Sequence, residues 1–223
     1  MRANKELVLA LVAVLAITGM YGGFLSIRGI PAASGFLGHS LGVLGFVLML
    51  MTETLYSLRK RAVRRPWGTM RSWLQFHIFT GIVGPYLVFL HAAWSFQGLA
   101  GALTLMTGVV VISGFLGRYI YTAVPRTAEG VMVEAQALQT ELAKARADFQ
   151  RLTETGERAS APAAGVRQAQ RRLRELESQL SAMRWARRLL ATWHTVHIPL
   201  GMVLFVTAFV HAGAALYFAT LLR

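Results

Sequence analysis

The chain has no cysteine anywhere in its 223 residues, which excludes disulfides, thiolate-ligated iron–sulfur clusters and cysteine-attached haem. Acid is scarce as well: ten Asp and Glu stand against 23 Lys and Arg, a formal net charge of +13. Charge of either sign is missing from Ser72 to Gly117. No glycine-rich dinucleotide fingerprint at a strand-to-helix turn occurs, so this chain is not expected to oxidise a nicotinamide cofactor by itself.

What is present is apolar. Hydrophobic residues make up 55% of the chain, and the mean hydropathy of +0.48 lies above that of an ordinary soluble domain. A hydrocarbon core of about 30 Å takes roughly 20 helical residues. The uncharged runs predict five spans, at 7–27, 36–57, 74–95, 99–121 and 191–221, the first read as a retained span because its apolar run is too long for a signal peptide and lacks a small-x-small cleavage pattern. Arg59, Lys60, Arg61, Arg64, Arg65 and Arg71 crowd the connection between spans two and three, whereas 28–35 and 96–98 hold only Arg28. Basic residues mark the cytoplasmic side. The expected setting is therefore an integral membrane protein, in a bacterial inner (plasma) membrane, with the N-terminus cytoplasmic and the C-terminus outside. These arginines serve topology and anionic head groups rather than nucleic acid, which calls for a basic face with base-reading or stacking groups.

The character changes between spans four and five. Val131, Ala135, Leu138, Leu142, Ala145, Phe149 and Leu152 recur at alternating steps of four and three, as do Val166, Ala169, Leu173, Leu176, Leu180 and Met183. Such stripes form a coiled-coil seam. Gly156, Pro162 and Gly165 between them predict a fold-back. The fold class is all-α: a five-helix membrane bundle with a cytoplasmic antiparallel coiled-coil hairpin between spans four and five. The domains run 1–125 (spans one to four), 126–190 (hairpin) and 191–223 (span five). The seam can be satisfied inside the hairpin, which leaves its outer face for a partner.

Histidine supplies the chemistry. Residues 73–93, WLQFHIFTGIVGPYLVFLHAA, align without gaps to 193–213, WHTVHIPLGMVLFVTAFVHAG, with identities that include Trp73/Trp193, His77/His197, Gly81/Gly201 and His91/His211. Both spans run from inside to outside, so corresponding residues lie at matching depth. Within each copy the histidines are fourteen residues apart, near one helix face and about 21 Å apart along the axis. Two facing helices with imidazoles at two depths suit two bis-histidine sites. A bare metal ion needs three or four converging ligands, whereas a b-type haem needs only two axial imidazoles because the porphyrin supplies the rest. Gly81, Gly84 and Gly201, on or near the histidine face, leave room for a planar group. The rivals are a histidine-based proton or ion transporter, structural histidines bonded between helices, and a membrane scaffold subunit.

Two His-x13-His spans in a membrane bundle resemble the ferric-reductase-like transmembrane domain of ferric reductases, NADPH oxidases and the haem subunit of periplasmic methionine sulfoxide reductase systems. The resemblance covers spans three to five and implies two stacked haem b groups, one held by His77 and His197, the other by His91 and His211. It also implies electron transfer across the membrane; iron held by two imidazoles favours outer-sphere transfer between separate redox protein subunits or a quinone pool, as a subunit of an oxidoreductase complex in which no catalytic site of its own is evident. The sequence departs from that family in lacking a sixth span and a following flavin domain; five-span di-haem quinol-oxidising subunits are the neighbouring alternative.

Further polar residues are ambiguous. His194 is turned roughly 100° from alignment with His211 and His197 roughly 40°, so His197 is the better ligand. His39 and Glu53 fit either a proton path or ordinary interfacial hydrogen bonding. Arg71, Arg187 and Arg188 suit haem propionates or interfacial anchoring, and Trp73 and Trp193 suit an interfacial belt.

Overall fold

The computed structural model describes residues 5–61, 68–94, 96–123, 128–156 and 163–221, and their regular structure is all helical. In chain order the helices are α1 (Lys5–Arg28), α2 (Phe36–Arg61), α3 (Met70–His91), α4 (Gly98–Ala123), α5 (Ala128–Gly156) and α6 (Ala163–Leu221). All but α5 are long and apolar enough to cross a bilayer. Helix α1 shows what solvent this implies. Val8, Leu9, Leu11, Val12, Leu15 and Met20 are all more than half exposed, while Glu6 is buried, the inverse of a helix facing water. A helix apolar all round needs lipid or a protein core around it.

The chain divides into two units, Met1–Gly114 with His197–Arg223 and Phe115–Val196. In the first, α3 is the central helix. It packs on α1 through Ala10, Val83 and Leu87, with Ile17, Leu41 and Leu48 around them. Gln75 donates to Glu6 (3.2 Å), and Tyr86 meets Thr18 (2.6 Å). The Thr18 hydroxyl donates to Val14 carbonyl, so Tyr86 is the donor. Partners that advance together along both helices make α1 and α3 parallel.

Helix α2 runs against α3. Thr52 Oγ1 donates to Thr80 Oγ1 (2.7 Å), and Thr80, fully buried, donates to Phe76 carbonyl. Further along, glycine faces glycine. A Cβ on Gly45 would stand 2.8 Å from the Gly84 carbonyl oxygen, and one on Gly84 would stand 3.1 Å from that of Gly45. In lipid, where burial of apolar surface drives no helix pairing, such small-residue contacts and interhelical hydrogen bonds provide the attraction. A second cluster, Met49, Leu103 and Leu204, joins α2, α4 and the last part of α6, and Phe46 meets Phe209 edge-on at 5.1 Å.

The third span begins and ends four residues earlier than its apolar run predicts, with its length unchanged. Helix α3 begins where Thr69 accepts from Ser72 N–H (3.2 Å) as N-cap. It ends at His91, not 95, because Ala93 and Trp94 take left-handed backbone angles (φ 48° and 62°). Neither residue favours that region, and the rings of Phe89 and Trp94, 5.2 Å apart, brace the turn.

In the second unit, α5 packs on α6 through Leu142, Leu176 and Leu180, with Leu138, Ala145 and Leu173 beside them, while Met183 packs with Leu138 and Ala186. Leu138 thus meets the later residue Met183, and Arg146, two turns on, pairs with the earlier Glu177 (2.7 Å), so the helices run antiparallel. Of the predicted stripes, Leu138, Leu142, Ala145, Leu173, Leu176, Leu180 and Met183 supply these contacts, while Leu152 is exposed; the side chains of Val131 and Ala135 are outside the described set, as is Pro162 of the predicted turn. On α4, Gly117 lies directly under the Trp193 indole, where any Cβ would collide.

Gly45→Ala drives a methyl into the α3 backbone and is expected to cost about 1–3 kcal/mol, as overpacking does. Gly19→Ala, with nothing within 4 Å, should cost nothing. Unfolding of both variants in mixed micelles checks this, and equal stability would refute the close crossing.

Candidate functional site

The antiparallel register of α2 and α3 gives the histidines of α3 their first partners. His77 Nδ1 lies 3.0 Å from Thr52 carbonyl and His91 Nδ1 lies 2.8 Å from Gly38 carbonyl. The two histidines are fourteen residues apart (91 − 77), and so are the two carbonyls (52 − 38). On antiparallel helices of equal rise, equal spacings bring both pairs to the same relation. A carbonyl oxygen can only accept, so each ring carries its proton on Nδ1 and, when neutral, presents the Nε2 lone pair.

Two α2 residues shape these contacts. Tyr56 places its ring 5.1 Å from that of His77. Gly42 lies against the other ring, since a Cβ there would stand 2.9 Å from His91 Cγ. His91 therefore reaches the Gly38 carbonyl over a glycine. His39 bonds the Gly35 carbonyl of its own turn (3.2 Å), and its ring is 6.4 Å from that of His91.

On α6, His197 Nδ1 lies 3.0 Å from Ser113 Oγ of α4, again a tie to a neighbouring helix. His211 is half-buried on α6. Glu53, next to Thr52, points toward Gly201, its Oε2 3.7 Å from where a Cβ would be. Gly201 is one turn on from His197, so His77 and His197 share a neighbourhood on α2. His194, in the other unit, bonds the Leu190 carbonyl of its own helix (3.0 Å) and lies beside Trp193.

The predicted glycines fall in different places. Gly84 is buried in the α2 crossing, and Gly81 faces Thr52 at 3.4 Å, so the room left on α3 is occupied by α2. Gly201 faces Glu53. Among the described residues, no three His, Asp or Glu side chains converge as a bare-ion site requires. Arg71 is exposed near the start of α3.

Sequence reasoning missed Thr52, Gly38, Gly42, Tyr56 and Ser113. One signal was present: Gly38, Gly42 and Gly45 recur at steps of four and three in FLGHSLGVLG, a stripe that marks close helix approach. No protein-family model, curated protein or solved structure matches this chain.

Nitrogen-15 NMR of the histidine side chains is expected to show His77 and His91 protonated at Nδ1. Gly42→Ala should displace the His91 ring and change its signature while leaving that of His77 intact. Nε2-protonated rings in the unaltered chain would refute the assigned hydrogen bonds.

Proposed function

We propose that the chain is a di-haem b-type membrane cytochrome that moves electrons across the membrane between separate redox subunits or a quinone pool. The observation that carries this reading is the commitment of His77 and His91 Nδ1 to α2 carbonyls. Iron-binding histidines are typically held in this way, the second ring nitrogen donating to a carbonyl or carboxylate so that the ligating nitrogen is aimed and made more basic. The donor set fits haem: each level needs two imidazoles. His77 with His197 would hold one group and His91 with His211 the other. Haem b, when bound, would supply one-electron redox chemistry.

The protein's own part is orientation and insulation. Thr52 and Gly38 carbonyls fix two rings, Ser113 fixes a third, and the apolar faces of α2, α3 and α6 keep water from both levels. The ferric-reductase-like resemblance agrees with this reading through spacing and helix order. In the same reading the α5–α6 pair is a cytoplasmic antiparallel coiled-coil hairpin, the N-terminus lies inside and the C-terminus outside.

A pyridine haemochrome assay on the purified chain should give two haem b per chain. His77→Ala or His197→Ala should each remove one haem and leave the other, as should His91→Ala or His211→Ala. Ser113→Ala is expected to weaken the site of His197 by about 10–100-fold, the usual loss when a ligand's outer hydrogen bond is removed. A colourless, well-folded protein would sink the proposal and leave the transporter reading, for which His77 variants should alter ion flux.

A further inference from the structure

The α5–α6 pair carries a feature that electron transfer does not use. Between the two helices lies a cavity of about 730 Å³. Its floor is apolar, made by Leu142 and Leu180, both buried. Its rim is basic: Ser181, Arg184, Trp185 and Arg188 follow one another along α6. Arg146 and Glu177, on the same rim, neutralise each other at 2.7 Å.

Arg184 and Arg188 show no such pairing among the described residues. They are one turn apart, so their guanidinium groups leave the helix on one side. Two guanidinium groups on the rim of a cavity suit a phosphate, whose oxygens match the fork of arginine N–H donors.

The surroundings select the source of that phosphate. Trp185 is 59% exposed beside the two arginines, and Arg188 is one turn ahead of the apolar run that starts at Ala191. An exposed indole next to arginines at the head of an apolar run is the composition of a membrane–water interface. A soluble phosphate compound has no use for the apolar floor, whereas a lipid presents a phosphate joined to glycerol and acyl carbon. Basic pockets at the cytoplasmic surface are where anionic lipid head groups bind.

We infer that the groove between α5 and α6 binds the head group of an anionic phospholipid, with Arg184 and Arg188 on its phosphate and Trp185 at its glycerol level.

The full chain, reconstituted in phosphatidylcholine nanodiscs with a minor fraction of phosphatidylglycerol and then extracted in mild detergent, is assayed for retained lipid by mass spectrometry. The expected result is selective retention of phosphatidylglycerol, reduced about thirty-fold in affinity in Arg184→Gln/Arg188→Gln, from about 1 kcal/mol per basic contact. Arg171→Gln/Arg172→Gln, the same charge change outside the groove, should retain it. Circular dichroism checks that each variant is folded; if the Gln pair is not, the folded Arg184→Lys/Arg188→Lys pair, which keeps the charge but loses the forked donors, carries the test and should retain less phosphatidylglycerol than the unaltered chain, equal retention overturning the inference. Equal retention by the Gln pair and the unaltered chain overturns the inference, as does equal retention of phosphatidylcholine. Displacement of the lipid by inorganic phosphate or by a polyglutamate peptide at matched ionic strength overturns the lipid assignment in favour of a soluble anion or an acidic protein segment.

Discussion

The close crossing of α2 and α3 at Gly45 and Gly84 sets the terms for the rest of the first unit. With backbone against backbone at that point, the helices are near enough for a side chain of one to reach a main-chain carbonyl of the other. Thr52 meets Thr80 on one side of the crossing, and His91 meets Gly38 on the other. A larger residue at position 45 or 84 would separate the helices and lengthen both contacts at once. Histidine orientation is thus a consequence of glycine placement a few turns away.

Lipid makes this arrangement necessary. In water, α1 and α2 could be held by burial of their leucines and valines, but in hydrocarbon those side chains gain little by leaving the solvent. Attachment then depends on contacts lipid cannot offer. The hydrogen bonds Gln75 to Glu6, Tyr86 to Thr18, Thr52 to Thr80 and His197 to Ser113 each tie one helix to another where water is scarce. An imidazole in such a place must have a partner for its N–H, and the Thr52 and Gly38 carbonyls satisfy those of His77 and His91 while leaving Nε2 for other chemistry.

The second unit follows the opposite rule. Its seam buries Leu142, Leu176, Leu180 and Met183 and exposes arginine and glutamate outside, as amphipathic helices do in water. One helix, α6, takes part in both regimes: Leu176 and Leu180 face a protein seam, while Val203, Val206 and Val210 are exposed as lipid-facing residues are. Exposed Trp185 and the arginines around it fall between these stretches.

Much of this was legible in the chain. Uncharged runs of about 20 residues are long enough to cross a bilayer, heptad stripes call for cover, and two histidines fourteen residues apart on a 3.6-residue helix share a face. Those properties follow from local geometry and solvent, so the five apolar helices and the histidine spacing needed no tertiary information. The partners of the histidines did. A backbone carbonyl is chemically the same under every residue, so nothing in Thr52 or Gly38 marks it as an acceptor; only the α2–α3 register selects it. The same register decided that Gly84 makes room for α2 and that Gly42 makes room for His91, since a glycine's sequence position says that space is available but not which neighbour fills it. Likewise Ala93 and Trp94, ordinary members of an apolar run, end α3 by turning the backbone left-handed, a conformation that neither side chain favours and that the sequence of the run does not announce.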